Sequence, residues 1–191
     1  MTLSEYLKDS KPNLPALGTV GVETDWLVVA SFQVTKNSLW VGDPYVANPQ
    51  DGFLVEVPNG SYKLEAKAMD FAGWKAVSRV RAYLSAAQLI VRGRQIGDTC
   101  TDTAMVGIFD MNALDEAIQG QNDLFQDMVM NHNYEECGVI RINVGKGFDL
   151  PYVSTAFGDT DGKVFEIQAS GDRVGFEIEF LPPHYAYEED E

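Results

Sequence analysis

The stretch Phe53-Leu-Val-Glu-Val-Pro-Asn-Gly-Ser-Tyr-Lys-Leu-Glu-Ala-Lys-Ala-Met69 decides the fold class. Phe53, Val55 and Val57 alternate with Leu54 and Glu56. Tyr62, Leu64, Ala66 and Ala68 alternate with Lys63, Glu65 and Lys67. A period of two marks a strand with one buried face. Pro58-Asn59-Gly60 lies between the two runs and is a strong turn signal, because Gly60 tolerates positive φ. The sequence therefore predicts a hairpin closed at Asn59-Gly60.

Similar signals spread outward from this stretch. Trp26 to Val34 is apolar and β-branched, and Leu39 to Val41 is a short strand stopped by Gly42-Asp43-Pro44. Lys75 to Leu84 alternates again. Ala86 to Arg94 reads equally as strand or helix. Thr103 to Phe109, Gly138 to Val144 and Leu150 to Ala156 read as strands. Lys163 to Ala169 and Arg173 to Phe180 flank Ser170-Gly171-Asp172 as a second hairpin. Helical patterning is confined to Met1–Lys8, capped by Thr2 or Ser4, and to Asn112–Met130, where Gly120 interrupts the apolar spacing.

Strands with one apolar face need a second layer to cover it. The expected fold is mainly β (a β-rich α+β protein): two packed antiparallel sheets, as a sandwich or partly open barrel, with one long helix covering an edge. One domain is expected over residues 1–182. Residues 183–191 end in Glu188-Glu189-Asp190-Glu191 and are expected to form a disordered acidic tail.

The charge narrows the partners. Fourteen Lys and Arg face 29 Asp and Glu, a formal net charge of −15 in 191 residues. Nucleic acids and anionic membranes are bound by positive charge, so this surface excludes both classes of partner. It suits a basic protein, whose encounter it would accelerate, although acidity also serves solubility alone. Cys100 and Cys137 are too few for a disulfide framework and read as buried free thiols. The start of the chain lacks a basic segment followed by an apolar run, and the longest apolar stretch, Trp26–Ala30, is too short to span a bilayer. These features predict a cytoplasmic protein.

Several segments form an ordered series: Gly42-Asp43-Pro44; Phe53–Pro58 followed by Gly60-Ser61-Tyr62; Arg79-Val-Arg-Ala-Tyr83; Asp102–Asp110; and, at the close, Phe157-Gly158-Asp159, Asp161-Gly162, Val164-Phe165 and Gly175–Phe180. Over roughly residues 38 to 182 the chain resembles the bacterial family known as domain of unknown function 4241. The family's closing motif is a compact Gly-Asp-Gly. Here it is two residues longer, Gly158-Asp159-Thr160-Asp161-Gly162. The resemblance implies a β-rich bacterial protein and carries no chemistry, cofactor or active site with it.

No segment carries a catalytic or metal motif. His132 and His184 stand alone on polar segments and give no zinc spacing and no base for a nucleophile. Asp159-Thr-Asp161-Gly162 has the alternating acids of a calcium loop, but Lys163 and the absence of a closing Glu favour a plain turn. Gly145-Lys146-Gly147 lacks the spacing and helix of a phosphate loop. Asp110 precedes a helix and is expected to cap it. Arg79, Arg81, Arg92 and Arg94 are expected to pair with surface acids.

The leading expectation is a non-enzymatic cytoplasmic binding protein without cofactor or metal, an acidic immunity- or antitoxin-like inhibitor that captures a basic, toxin-like protein. An alternative is a carboxylate-based hydrolase or small-ligand-binding protein using Asp/Gly loops at one end of the sandwich. Another is a structural subunit of a homo-oligomer. The residues singled out as possible ligand or partner loops are Asp43, Asp102, Asp159 and Asp161.

Overall fold

The computed structural model describes residues 1–46, 48, 50–120, 137–142, 148–155 and 160–181. Among them, twelve strands build two antiparallel sheets that face each other and do not close into a barrel. The larger sheet contains β1 (Val22–Glu23), β2 (Leu27–Val34), β5 (Gly60–Phe71), β6 (Trp74–Leu84), β7 (Val91–Thr101), β11 (Thr160–Ala169) and β12 (Asp172–Glu179). Its order is β1-β5-β6-β12-β11-β7, and β2 also pairs with β5. The smaller sheet contains β3 (Ser38–Gly42), β4 (Phe53–Glu56), β8 (Met105–Asp110), β9 (Cys137–Ile142) and β10 (Phe148–Ser154), in the order β4-β3-β8-β10-β9.

The alternation of the sequence becomes the core. Tyr62, Leu64 and Ala66 of β5, Val80 of β6, and Phe176 and Ile178 of β12 line the inner face of the larger sheet. Leu39, Val41, Val106, Ile108 and Val153 meet them from the smaller sheet. Each large apolar side chain fully buried here stabilises the fold by about 1.5–3 kcal/mol. The smaller sheet is covered on its outer face too. Helix α2 (Met111–Gln119) sets Ala113, Leu114 and Ala117 against Trp40, Phe109, Leu150 and Tyr152. The Trp40 and Phe109 rings stack at 5.3 Å. Helix α1 (Leu3–Leu7) is held by a reciprocal capping box between Thr2 and Glu5, and buries Leu3 and Leu7.

The hairpin expected at Asn59-Gly60 does not form. β4 pairs with β3, whereas β5 pairs with β1, β2 and β6, so residues 57–60 carry the chain from one sheet to the other. A second crossing, from β2 to β3, runs beside it and locks it. The Asn37 N–H donates to Asn59 Oδ1 at 2.6 Å, and the Val57 N–H to the Asn37 carbonyl at 2.9 Å. The buried Tyr62 hydroxyl donates to the Pro58 carbonyl at 2.8 Å, the kind of tie that fixes corners in β-sandwiches. Burial pushes the Tyr62 hydroxyl pKa well above its ordinary value.

The long hairpin joins β5 to β6 instead, through Ala72-Gly73 at φ 57° and 103°. Two successive positive-φ residues match the right-handed twist of paired strands. The turn is held from outside. The Asp70 carboxylate accepts from the Gly73 N–H, and Lys11 Nζ donates to the Ala72 carbonyl. The hairpin expected at Ser170-Gly171 is present, with β11 paired to β12.

Three further expectations change. The ambiguous 86–94 segment is irregular up to Ile90, and from Val91 the chain runs as β7 to Thr101. Asp110 sits at the N-cap position of α2, but its side chain makes no cap bond. It turns to the β2–β3 crossing, accepting from the Thr35 N–H at 2.9 Å, the Thr35 hydroxyl at 2.7 Å and the Lys36 N–H at 3.4 Å. Cys100 is an exposed free thiol, and Cys137 is a half-buried one. The second half of the expected long helix, Gln121–Met130, and the acidic tail lie outside the described residues.

Candidate functional site

Asp43 is the acid the fold uses most. It follows β3, is only 7% exposed, and reaches the loop between β7 and β8. Its Oδ2 accepts from the Asp102 and Thr103 N–H groups, both at 3.0 Å, and its Oδ1 from the Tyr45 N–H at 2.9 Å. The Thr103 hydroxyl lies 2.8 Å from both carboxylate oxygens. These donors fix the loop and occupy the lone pairs that a catalytic carboxylate would offer. Asp43 and Asp102 thus meet through the Asp102 backbone, while the Asp102 side chain is exposed.

Asp161 is not in a turn. It lies in β11 opposite Cys100 of β7, one step from the Thr160–Thr101 pair that precedes Asp102 in the chain. Asp161, Asp102 and Asp98 are all exposed at this end of the larger sheet. Among the described residues, none of the three forms an ion pair. Lys163, although it stands opposite Asp98 in the register, does not close one. Asp159, His132, His184 and Gly145–Gly147 lie outside the described residues. No group of three or more His, Cys, Asp or Glu among the described residues could hold a metal ion.

The largest organised set of polar side chains lies elsewhere, on the outer face of the larger sheet. Register puts Glu65, Arg81 and Glu177 in one row across β5, β6 and β12, and Lys67, Arg79 and Glu179 in the next. Arg81 grips Glu65 Oε2 through Nε at 2.8 Å and Nη2 at 2.5 Å, and the Tyr83 hydroxyl donates to Oε1 at 3.2 Å. Glu23 of β1 receives Lys67 at 2.9 Å and the Ser78 hydroxyl at 3.0 Å, with Arg79 Nε at 3.1 Å. Arg92 crosses from β7 over the Phe165 ring, 3.4 Å from its centroid, to reach Glu179 at 2.8 Å and Glu177 at 3.1 Å. Trp26 covers the Arg81 guanidinium at 3.9 Å.

This lattice balances four carboxylates, Glu23, Glu65, Glu177 and Glu179, against four cations, Lys67, Arg79, Arg81 and Arg92. The expected pairing of the arginines with acids is present, but the acids are not all superficial, since Glu65 and Glu177 are buried. Glu177 is the poorest fit. Its Oε1 and Arg79 Nε are buried with ionic neighbours but no well-aimed hydrogen bond. Burial raises the Glu177 pKa above the usual glutamate value, and the pull of Arg92, Arg79 and Arg81 does not cancel it.

A third feature is a cleft where the β4 and β7 edges adjoin, of about 1040 Å³. Phe53 and Leu54 come to it from β4, Arg94 and Ile96 from β7, Lys36 from the β2–β3 crossing and Arg173 from β12. Sequence reading missed both this cleft and the lattice. The lattice left a signal, the same-face pairs Glu65/Lys67, Arg79/Arg81 and Glu177/Glu179 at i, i+2. The cleft left none, since its residues come from four separated segments.

No family model matches the chain, and no curated protein or solved structure is detectably similar to it. No helix among the described residues is long and apolar enough to cross a membrane.

Proposed function

We propose that this chain is a non-enzymatic cytoplasmic binding protein that captures a basic protein partner, in the manner of an acidic immunity protein or antitoxin. One observation carries the reading. Four cations of the larger sheet, Lys67, Arg79, Arg81 and Arg92, are spent on Glu23, Glu65, Glu177 and Glu179, while Asp98, Asp102 and Asp161 are exposed and form no ion pair among the described residues. Withdrawing cations from the surface sharpens the field of a −15 chain. Such a field speeds encounter with a basic surface and rejects acidic competitors. The Asp-loop hydrolase is disfavoured, because Asp43 is committed to the Tyr45, Asp102 and Thr103 donors. Kinship with the domain of unknown function 4241 family, proposed from the ordered motifs, adds no activity.

The test is affinity capture from the native host at low and at high salt. A basic protein retained at low salt, released at high salt, and bound by the purified chain supports the reading. Absence of any basic protein at low salt sinks it.

A further inference from the structure

We infer that the cleft between the β4 and β7 edges is a binding site for a small amphiphilic anion, a carboxylate or phosphate carried on an apolar body. It does not depend on the reading proposed above, although Gln95 of its lining donates to Asp98 at 2.9 Å. The chain as a whole has two acids for each cation, yet the cleft is lined by Lys36, Arg94 and Arg173 against Glu56 alone. The cleft thus lacks the chain's excess of acid, and its cations stand where an anion could enter.

One of the two guanidiniums is held in place from behind, and the other stands near the same carboxylate. Glu166 is buried, accepts from Gln168 Nε2 at 2.9 Å, and takes Arg173 through Nη2 at 3.1 Å and Nε at 3.3 Å. Arg94 Nε stands 3.6 Å from the same carboxylate. One carboxylate therefore serves two guanidiniums, and that trio keeps one positive charge. Arg94 carries it outward, with a side chain 79% exposed and a contact longer than a hydrogen bond. Lys36 is neutralised by Asp115 and adds a donor rather than net charge. Glu56 cancels the remaining charge over the whole cleft, so a bare ion gains little there. What distinguishes the site is the Arg173 fork held by Glu166, with the exposed Arg94 beside it and Phe53, Leu54 and Ile96 in the same lining. Guanidinium suits planar or tetrahedral oxyanions, and Phe53, Leu54, Val57 and Ile96 offer an apolar body something to lie against. Leu54 is one of the large apolar side chains left exposed.

The experiment is a titration of the full chain with hexyl phosphate and with hexanoate, followed by amide NMR shifts and calorimetry. Hexanol and inorganic phosphate supply the apolar-only and anion-only arms. Saturable shifts at Phe53, Leu54, Arg94 and Ile96 with either amphiphile support the site, and the stronger amphiphile names the headgroup. Arg94→Ala, an exposed change with little reason to unfold the chain, is expected to weaken binding by about tenfold, the loss of one charge-assisted contact. Leu54→Ser tests the apolar half without touching charge. No saturable shift, unchanged affinity in Arg94→Ala, or equal affinity for inorganic phosphate would each overturn the inference.

Discussion

The outer face of the larger sheet and its β7–β11 end use charged residues in opposite ways. On the face, strand register sets Glu65 beside Arg81 and Glu179 beside Arg79, and every carboxylate has a cation within ionic reach. At the end, Asp98, Asp102 and Asp161 are exposed without an ion pair among the described residues. In the proposed reading the first region serves stability and the second encounter with the partner. A net charge of −15 says nothing of this division, because four of the 14 cations are gathered on one face against an equal number of carboxylates.

The comparison can be broken most sharply at Arg81. Arg81→Ala strands the buried Glu65 with only the Tyr83 hydroxyl as a side-chain donor. The expected cost is about 3 kcal/mol, as for other broken buried pairs, read from the urea midpoint. A loss near that of a surface pair, about 0.5 kcal/mol, would show that solvent already screens the lattice.

Asp110→Ala comes next. It leaves the Thr35 and Lys36 N–H groups of the sheet crossing without their acceptor. A loss of about 2 kcal/mol is expected in the same assay. Asp110→Asn, which keeps an oxygen, is expected to recover part of it.

Glu177→Gln sharpens the account through pH. Arg79 and Arg81 face Glu177 from β6 and Arg92 from β7, with Glu179 on its own strand. Its folded pKa is raised, so the folded state holds the proton more tightly than the unfolded chain. That contribution is fully present below the ordinary value of 4.5 and is lost as pH rises through the higher folded value. Unfolding measured in steps upward from pH 4.5 should therefore show the variant gaining on the parent chain. A parent chain that gains on the variant over that range would mean that the arginines outweigh burial.

The smallest effect on stability is expected at the acidic end. Asp98→Asn, Asp102→Asn and Asp161→Asn should each shift stability by no more than about 0.5 kcal/mol, as exposed sites without an ion pair among the described residues. Their effect should fall on association rate and its salt dependence instead.

Much of the fold was legible because burial alternates over the first halves of β5 and β11, and in β5 the apolar Tyr62, Leu64 and Ala66 recur at every second position whatever the partner strand. Pairing was less legible. Asn59-Gly60 has the composition of a hairpin and is a sheet crossing. Ala72-Gly73 closes the longest hairpin although alanine disfavours φ 57°. Both outcomes involve distant residues, Asn37 at the first and Lys11 at the second. The site was legible only in part. Asp43 and Asp102 do meet, but Asp43 accepts backbone donors that no side-chain pattern announces. Glu166 behind Arg94 and Arg173 depends on β7 and β12 flanking β11, a neighbourhood that only the strand order supplies.

The most direct measurement is paired capture from the native host with the parent chain and with the Asp98→Asn, Asp102→Asn, Asp161→Asn triple variant, at low and high salt. The purified partner is then titrated against both. The account predicts a basic protein bound by the parent at low salt, lost at high salt, and bound more slowly and weakly by the triple variant, while both chains unfold alike. A partner bound equally by both chains, or unaffected by salt, would contradict it.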